Sequence, residues 1–99
     1  MRYYRAVIKS FANRHTQKLF HGEAVPRLPP EIRERARLKL AQLNAAASLD
    51  FMALPPSNRL EALKGNRKGQ HSVRINQQWR ICFRWTDGNA FDVEITDYH

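Results

Sequence analysis

The spacing of apolar residues along this 99-residue chain changes near its middle, from a helical repeat to a repeat of two. From Glu31 to about Ala47, apolar side chains recur every three or four residues, which predicts a helix with one buried stripe. The stripe consists of Ile32, Ala36, Leu40, Leu43 and Ala47. Pro30 suits the first turn of this helix, because the N–H that proline lacks has no partner there.

The residues before this helix predict shorter elements. Ala6 to Ser10 is typical of a short first strand, and Ala12 to Phe20 of a short helix that ends before Gly22. The proline-containing segment from Glu23 to Pro30 is interpreted as a linker.

After Pro55-Pro56-Ser57-Asn58 the apolar residues alternate with polar ones, which predicts strands with one buried face. Leu60 to Lys64 is a short strand candidate. Three longer strands carry the apolar sets His71/Val73/Ile75, Trp79/Ile81/Phe83/Trp85 and Phe91/Val93/Ile95. The order of elements predicts an α+β fold with helices packed on one face of a mainly antiparallel sheet.

The turn between the last two strands sets their register. A three-residue loop, Asp87 to Asn89, places Trp85 opposite Phe91 and Arg84 opposite Asp92, and is preferred to a two-residue loop that would pair Arg84 with Phe91. The same register pairs Phe83 with Val93 and Ile81 with Ile95.

A three-residue loop at Asn76 to Gln78 places Arg74 opposite Arg80. Like charges directly across a ladder repel each other, so we expect an anion on that polar face. The preceding register places Thr96 beside Arg80, so that the chain end, Asp97-Tyr98-His99, is expected to converge with both arginines at one edge of the sheet.

Charge is concentrated in the same region. The chain has 17 Lys and Arg against 9 Asp and Glu, a net charge of +8, which favours acidic partners such as nucleic acid, although charge of this size can also serve solubility alone. The segment Arg59 to Arg84 contains Lys or Arg at positions 59, 64, 67, 68, 74, 80 and 84, with Glu61 as its one acid. A basic surface with a titratable rim suits binding and cleavage of RNA.

The number of cysteines and the distribution of apolar residues indicate where in the cell the protein is found. The single Cys82 excludes an intrachain disulfide and, inside a strand, is expected to be a small buried residue. The chain shows no apolar run long enough to span a bilayer and no secretory signal at its start. We therefore expect a cytoplasmic protein.

The terminal Asp97-Tyr98-His99 combines a carboxylate, a phenol and an imidazole that can exchange a proton near neutral pH. The alternative is a frayed polar tail after an edge strand.

Three motifs together carry a family resemblance: Lys64-Gly65-Asn66-Arg67, Trp79-Arg80-Ile81 and Asp97-Tyr98-His99. With them, Val7 to His99 resembles the HigB branch of the RelE-like toxins of bacterial toxin–antitoxin systems. The resemblance implies one RelE-like domain over residues 1–99, with 1–6 as an N-terminal extension. It also implies an mRNA endonuclease that acts at the ribosome. The implied partner is a HigA-type helix-turn-helix antitoxin, which forms a heteromeric complex with a toxin that alone is monomeric.

The family's site residues are carried over by position. The catalytic set that the resemblance implies is Lys64, Arg80, Asp97, Tyr98 and His99. The cations expected to follow the RNA backbone are Arg67, Lys68, Arg74 and Arg84. Many members have histidine where this chain has Glu61, so the role of that position stays open. His71 shares a face with Val73 and is interpreted as a core histidine at a strand end, with a role in the site left open.

A mechanism without metal or cofactor is expected, because the histidines and the cysteine do not have the spacing of metal ligands. His99 with Asp97 would be the acid–base pair, Tyr98 a stacking group or proton donor, and Arg80 and Lys64 the phosphate clamps. The alternatives are a non-catalytic RNA- or ribosome-binding module and a DNA-binding β-ribbon, neither of which needs the titratable terminus.

Overall fold

Two helices precede a four-stranded antiparallel sheet in the computed structural model, which describes residues 6–97. The helices are α1 (Arg14–Phe20) and α2 (Pro30–Asn44), and the strands are β1 (Glu61–Ala62), β2 (Gln70–Arg74), β3 (Trp79–Thr86) and β4 (Asn89–Asp97). The strands lie in the order β1-β2-β3-β4. The predicted α+β fold is confirmed.

Helix α2 begins at Pro30, as predicted, and its stripe Ile32, Ala36, Leu40 and Leu43 is buried. The prediction that Ala47 is the last residue of the buried stripe is wrong, because Ala47 is exposed and Ala46 is buried in its place. The helical repeat stops at Asn44, so the helical spacing no longer decides which alanine faces the core.

The segment predicted as a first strand is extended but does not form a regular strand. It runs parallel to β4 through two isolated bridges, Ile8 with Ala90 and Phe11 with Val93. The side-chain Oδ1 of Asn44 accepts hydrogen bonds from the backbone N–H groups of Val7, at 3.0 Å, and Ile8, at 2.9 Å. The Asn44 side chain therefore anchors this extended segment to the end of α2.

The predicted loop between β3 and β4 is wrong. Asp87 and Gly88 have positive φ angles of 51° and 77° and form a two-residue turn, so Arg84 lies opposite Phe91 and Trp85 opposite Ala90. This pairing is possible because β4 contains a β-bulge, in which Asp92 has a φ angle of 53°. At the bulge the register shifts by one residue between the partners of Cys82 and Arg84.

Beyond the bulge the predicted register is restored, with Ile81 opposite Ile95 and Arg80 opposite Thr96. The expected contact of Arg84 with Asp92 also forms, as an ion pair with 3.5 Å between Nε and Oδ2, although the two are not cross-strand partners. The bulge thus lets β3 and β4 be joined by a two-residue turn while Ile81 and Ile95 still pair on the buried face.

The β2–β3 pairing is as predicted, with Val73 opposite Ile81 and Arg74 opposite Arg80. The short strand expected at Leu60 to Lys64 is reduced to Glu61–Ala62. The core forms between α2 and one face of the sheet, and both tryptophans, Trp79 and Trp85, pack against it as expected. Within residues 6–97 neither helix is long and apolar enough to cross a membrane.

Candidate functional site

The face of the sheet turned away from the helices carries a buried arginine. Arg80 is only 8 % exposed, and its charged end has hydrogen-bond partners within the chain. Its Nε donates to the hydroxyl of Ser72 at 2.8 Å, and its Nη2 donates to the main-chain oxygen of Arg59 at 2.8 Å. A guanidinium held at two of its nitrogens has a fixed orientation.

Glu61 supplies the anion on this face. Its Oε1 lies 3.1 Å from Nη2 of Arg80, with the glutamate side chain half exposed and the arginine side chain nearly buried. Glu61 reaches this position because its Cα pairs with Ser72, the residue that also holds Arg80. The expectation of an anion on this face is met from within the chain for Arg80, whereas Arg74 forms no ion pair within residues 6–97.

The Lys64 to Gly69 loop lies over the same face, tied down by Arg67. Nη1 of Arg67 lies 2.9 Å from Oε1 of Glu94 and donates to the side-chain oxygen of Gln70 at 2.9 Å. Lys64 and Lys68 remain exposed on the loop. Of the cations expected to follow RNA, Arg67 and Arg84 thus have carboxylate partners, and Lys68 projects into solvent.

The end of β4 leads toward this region. Thr96 lies opposite Arg80, as predicted, and Asp97 lies opposite Trp79. Because successive strand residues alternate between faces, Asp97 is on the other face from Thr96, and its Oδ2 accepts a hydrogen bond from Nε2 of Gln78 at 3.0 Å. The expected convergence of Asp97 with Arg80 on one face is therefore not seen. Tyr98 and His99 lie outside the described residues.

His71 and Cys82 both contact the interior of the domain. The His71 ring is 6.0 Å from that of Phe83, on the core side, as interpreted from the sequence. Cys82 is fully buried, and burial raises the pKa of its thiol above the ordinary value. Within the part of the chain that the structure describes, no group of three or more His, Cys, Asp or Glu could hold a metal ion.

A basic cleft of about 710 Å³ was not predicted from the sequence. It is lined by Arg35, Lys39, Pro56, Ser57, Arg59, Arg74, Ile75, Asn76 and Gln77. Arg35 and Lys39 are one helical turn apart on α2, so their positive charges lie on the same helix face. This spacing is the one feature of the sequence that points to the cleft. Arg59 and Arg74 reach it from other parts of the chain.

An α+β domain with a basic sheet face and a clamped arginine has the architecture expected of a small RelE-like toxin. Residues 9–99 match the family model described as a RelE-like toxin of the type II toxin–antitoxin system HigB. The chain belongs to this HigB-like toxin family, and as a type II toxin it has an antitoxin partner.

Two relatives show how far the similarity extends. Toxin HigB-1 of Vibrio cholerae serotype O1 is 37% identical over 86 residues, which cover 86% of this chain and 90% of the relative. Endoribonuclease HigB of Proteus vulgaris is 28% identical over 93 residues, which cover 94% of this chain and 100% of the relative. The similarity extends over nearly the whole of each protein.

Proposed function

We propose that this toxin is an endoribonuclease that cleaves mRNA on the ribosome, without a metal ion, through attack of a ribose 2′-OH on the adjacent phosphate. The endoribonuclease activity is supported by membership of the HigB-like family and by the name of the Proteus vulgaris relative. The ribosome, the metal-free chemistry and the residue roles are the parts that experiment must test.

The observation that carries the proposal is the preorganised guanidinium of Arg80. Negative charge builds up on the phosphoryl oxygens during the reaction, and a cation already oriented by the protein stabilises that charge without first having to reorganise. Ser72 and the Arg59 carbonyl orient Arg80 independently of Glu61. An RNA phosphate can therefore replace the Glu61 carboxylate and leave the arginine in place. Lys64, exposed on the neighbouring loop, is the second proposed phosphate clamp.

Proton transfer is assigned to the chain end. A base removes the proton from the 2′-OH, the alkoxide attacks phosphorus to form a cyclic phosphate, and an acid gives a proton to the departing 5′-oxygen. We assign His99, with Asp97, to these two proton transfers and Tyr98 to stacking on a base or donating a proton. The pairing of Thr96 with Arg80 supports this assignment, since His99 follows only three residues later.

We propose that the antitoxin is of the HigA helix-turn-helix type, that the toxin alone is a monomer, and that it acts in the cytoplasm, where ribosomes carry mRNA. Requirement for a 2′-OH restricts the substrate to RNA.

The decisive experiment uses mRNA programmed on ribosomes, with a single 2′-deoxy or 2′-O-methyl nucleotide at the cut position. Cleavage of the unmodified message should give a 2′,3′-cyclic or 3′-phosphate and a 5′-OH, and either modification should block it. The unmodified message should still be cut when EDTA is added at a level that leaves ribosomal magnesium intact. Cleavage of the 2′-deoxy message, or a 5′-phosphate product, would mean that water is the nucleophile and would overturn the mechanism.

A further inference from the structure

The basic cleft lies where α2, the Pro56–Asn58 turn and the loop between β2 and β3 meet. It contains the four cationic residues Arg35, Lys39, Arg59 and Arg74, and no carboxylate lines it. Within residues 6–97, none of the four forms an ion pair, whereas Arg37, Arg67, Arg80 and Arg84 all do. The positive charge of the cleft is therefore not neutralised by the described part of the chain.

Neutral oxygens hold three of these cations in position. Nη1 of Arg35 donates to the carbonyl of Ile75 at 3.1 Å, and Nε of Arg74 donates to the carbonyl of Asn76 at 3.1 Å. Nζ of Lys39 donates to Oδ1 of the buried Asn58. These bonds fix the side chains without cancelling their charge, which is the arrangement expected of a preformed anion site.

Holding these cations together has a cost. Burial, and then the nearby charge of Arg35, lower the pKa of Lys39 below its ordinary value. A bound anion would offset both effects, because an opposite charge nearby favours the charged form of the lysine.

We propose that this cleft binds phosphate groups of an RNA backbone beside the scissile nucleotide, an inference that rests on the proposed function for the identity of its ligand. The lining contains no aromatic side chain, so it offers no platform for base stacking. Ser57, Asn76 and Gln77 provide neutral hydrogen-bonding groups at its walls. Such a surface contacts phosphate and ribose and is indifferent to base sequence.

The cleft is directly linked to the proposed catalytic arginine. Arg59 lines the cleft, and its carbonyl accepts the hydrogen bond from Nη2 of Arg80. Arg74 also lines the cleft and lies opposite Arg80 in the sheet. The cleft and Arg80 are therefore adjacent, which favours a strand of RNA that reaches both over an acidic protein segment.

The sharpest test places a negative charge in the cleft while leaving its hydrogen bonds in place. Ser57 is exposed and lines the cleft, and Gln17 is exposed on α1 outside it. Ser57→Glu and Gln17→Glu change the net charge equally. Binding of a fluorescent, fully 2′-O-methylated RNA strand is measured over a salt series. Ser57→Glu should weaken binding about tenfold, as expected for one charged interaction. The salt slope should fall by about 0.7 for each phosphate that the variant no longer binds, and Gln17→Glu should change neither quantity more than about twofold.

A second pair of variants removes cations. Arg35→Gln/Lys39→Gln is compared with Arg14→Gln/Lys18→Gln, which removes the same residue types at the same spacing from α1. Thermal unfolding identifies any loss of fold, and Arg35→Lys should keep most of the affinity because it keeps the charge. Equal weakening by the cleft pair and the α1 pair would reduce the effect to net charge and overturn the proposal.

The same variants are then tested on ribosomes without mRNA, to separate the two sources of RNA phosphate. Weakening with the free strand is the result expected for a site beside the scissile nucleotide. Weakening only on ribosomes would assign the cleft to ribosomal RNA and overturn that placement. Wild-type affinity of the cleft variants in both assays, or a loss confined to antitoxin binding, would overturn the inference. Cleavage of a 2′-deoxy message, by contrast, would end the proposed mechanism and leave these binding ratios unchanged.

Discussion

Arg80 and Glu61 form an ion pair, 3.1 Å long, in which the arginine side chain is nearly buried and the glutamate side chain is half exposed. The two partners are therefore not equivalent. Arg80 keeps two hydrogen bonds, to Ser72 and to the Arg59 carbonyl, when Glu61 leaves. Under the proposed mechanism, Glu61 occupies the position that a substrate phosphate needs and would compete with it for Arg80.

Glu61→Gln should therefore tighten RNA binding by roughly threefold to fivefold, since a half-exposed ion pair contributes at most about 1 kcal/mol. Affinity for an uncleavable RNA strand is the measurement. Glu34→Gln, which breaks the exposed ion pair of Glu34 with Arg37 on α2, is the matched control. Unchanged or weaker binding by Glu61→Gln would show that Glu61 does not compete with phosphate. A large loss of cleavage despite tighter binding would instead give Glu61 a part in proton transfer.

His99→Ala, or deletion of His99, should reduce cleavage by about 10²–10⁴-fold, the usual contribution of a general acid or base. RNA affinity and thermal stability should stay close to those of the wild type. His15→Ala on α1 serves as the histidine control. Cleavage within a few-fold of wild type after loss of His99 would remove that residue from the mechanism.

Lys68→Ala should weaken RNA binding and lower the salt slope by about 0.7, as expected for one phosphate contact on a single strand. Arg67→Ala should lower the slope less, because Glu94 already neutralises much of the Arg67 charge. RNA affinity measured between low and high salt shows which of the two variants lowers the salt slope more. A larger change of slope for Arg67→Ala than for Lys68→Ala would show that Arg67 leaves Glu94 to contact RNA.

Asn44→Ala should lower the free energy of unfolding by about 1–3 kcal/mol, because the backbone N–H groups of Val7 and Ile8 lose their shared side-chain acceptor. Denaturant unfolding measures the change. Gln42→Ala, in the same last turn of α2, should change the free energy of unfolding by much less. Similar values for the two variants would show that the Asn44 side chain does not anchor the first extended segment.

Cys82→Ala should change how stability depends on alkaline pH. Burial raises the pKa of the folded thiol above the ordinary value of 9.0, so the folded state retains a proton that the unfolded state releases. This contribution to stability is complete at neutral pH and is lost as the pH rises through the raised pKa. The wild-type free energy of unfolding should therefore fall more steeply above pH 9.0 than that of Cys82→Ala. Parallel curves would contradict the prediction.

Much of the fold follows from local patterns in the sequence. The helical spacing from Ile32 to Leu43 leads to α2, and alternation leads to β2, β3 and β4, because burial of one face sets the period of each element. The opposition of Arg74 and Arg80 was predictable because the Asn76 to Gln78 loop has few ways to close. The family was predictable from three short motifs that keep their order along the chain.

Other features depend on contacts between distant parts of the chain. The bulge at Asp92, the Arg67–Glu94 ion pair and the clamp on Arg80 each join segments whose approach no local pattern encodes. The cleft brings Arg35 and Lys39 of α2 together with Arg59 and Arg74, although their spacing in the sequence resembles an ordinary solvated helix face. The sequence by itself determined the elements and the chemistry available to them. Tertiary packing alone decided which charges are neutralised and which remain open to a ligand, because that depends on distances across the folded molecule.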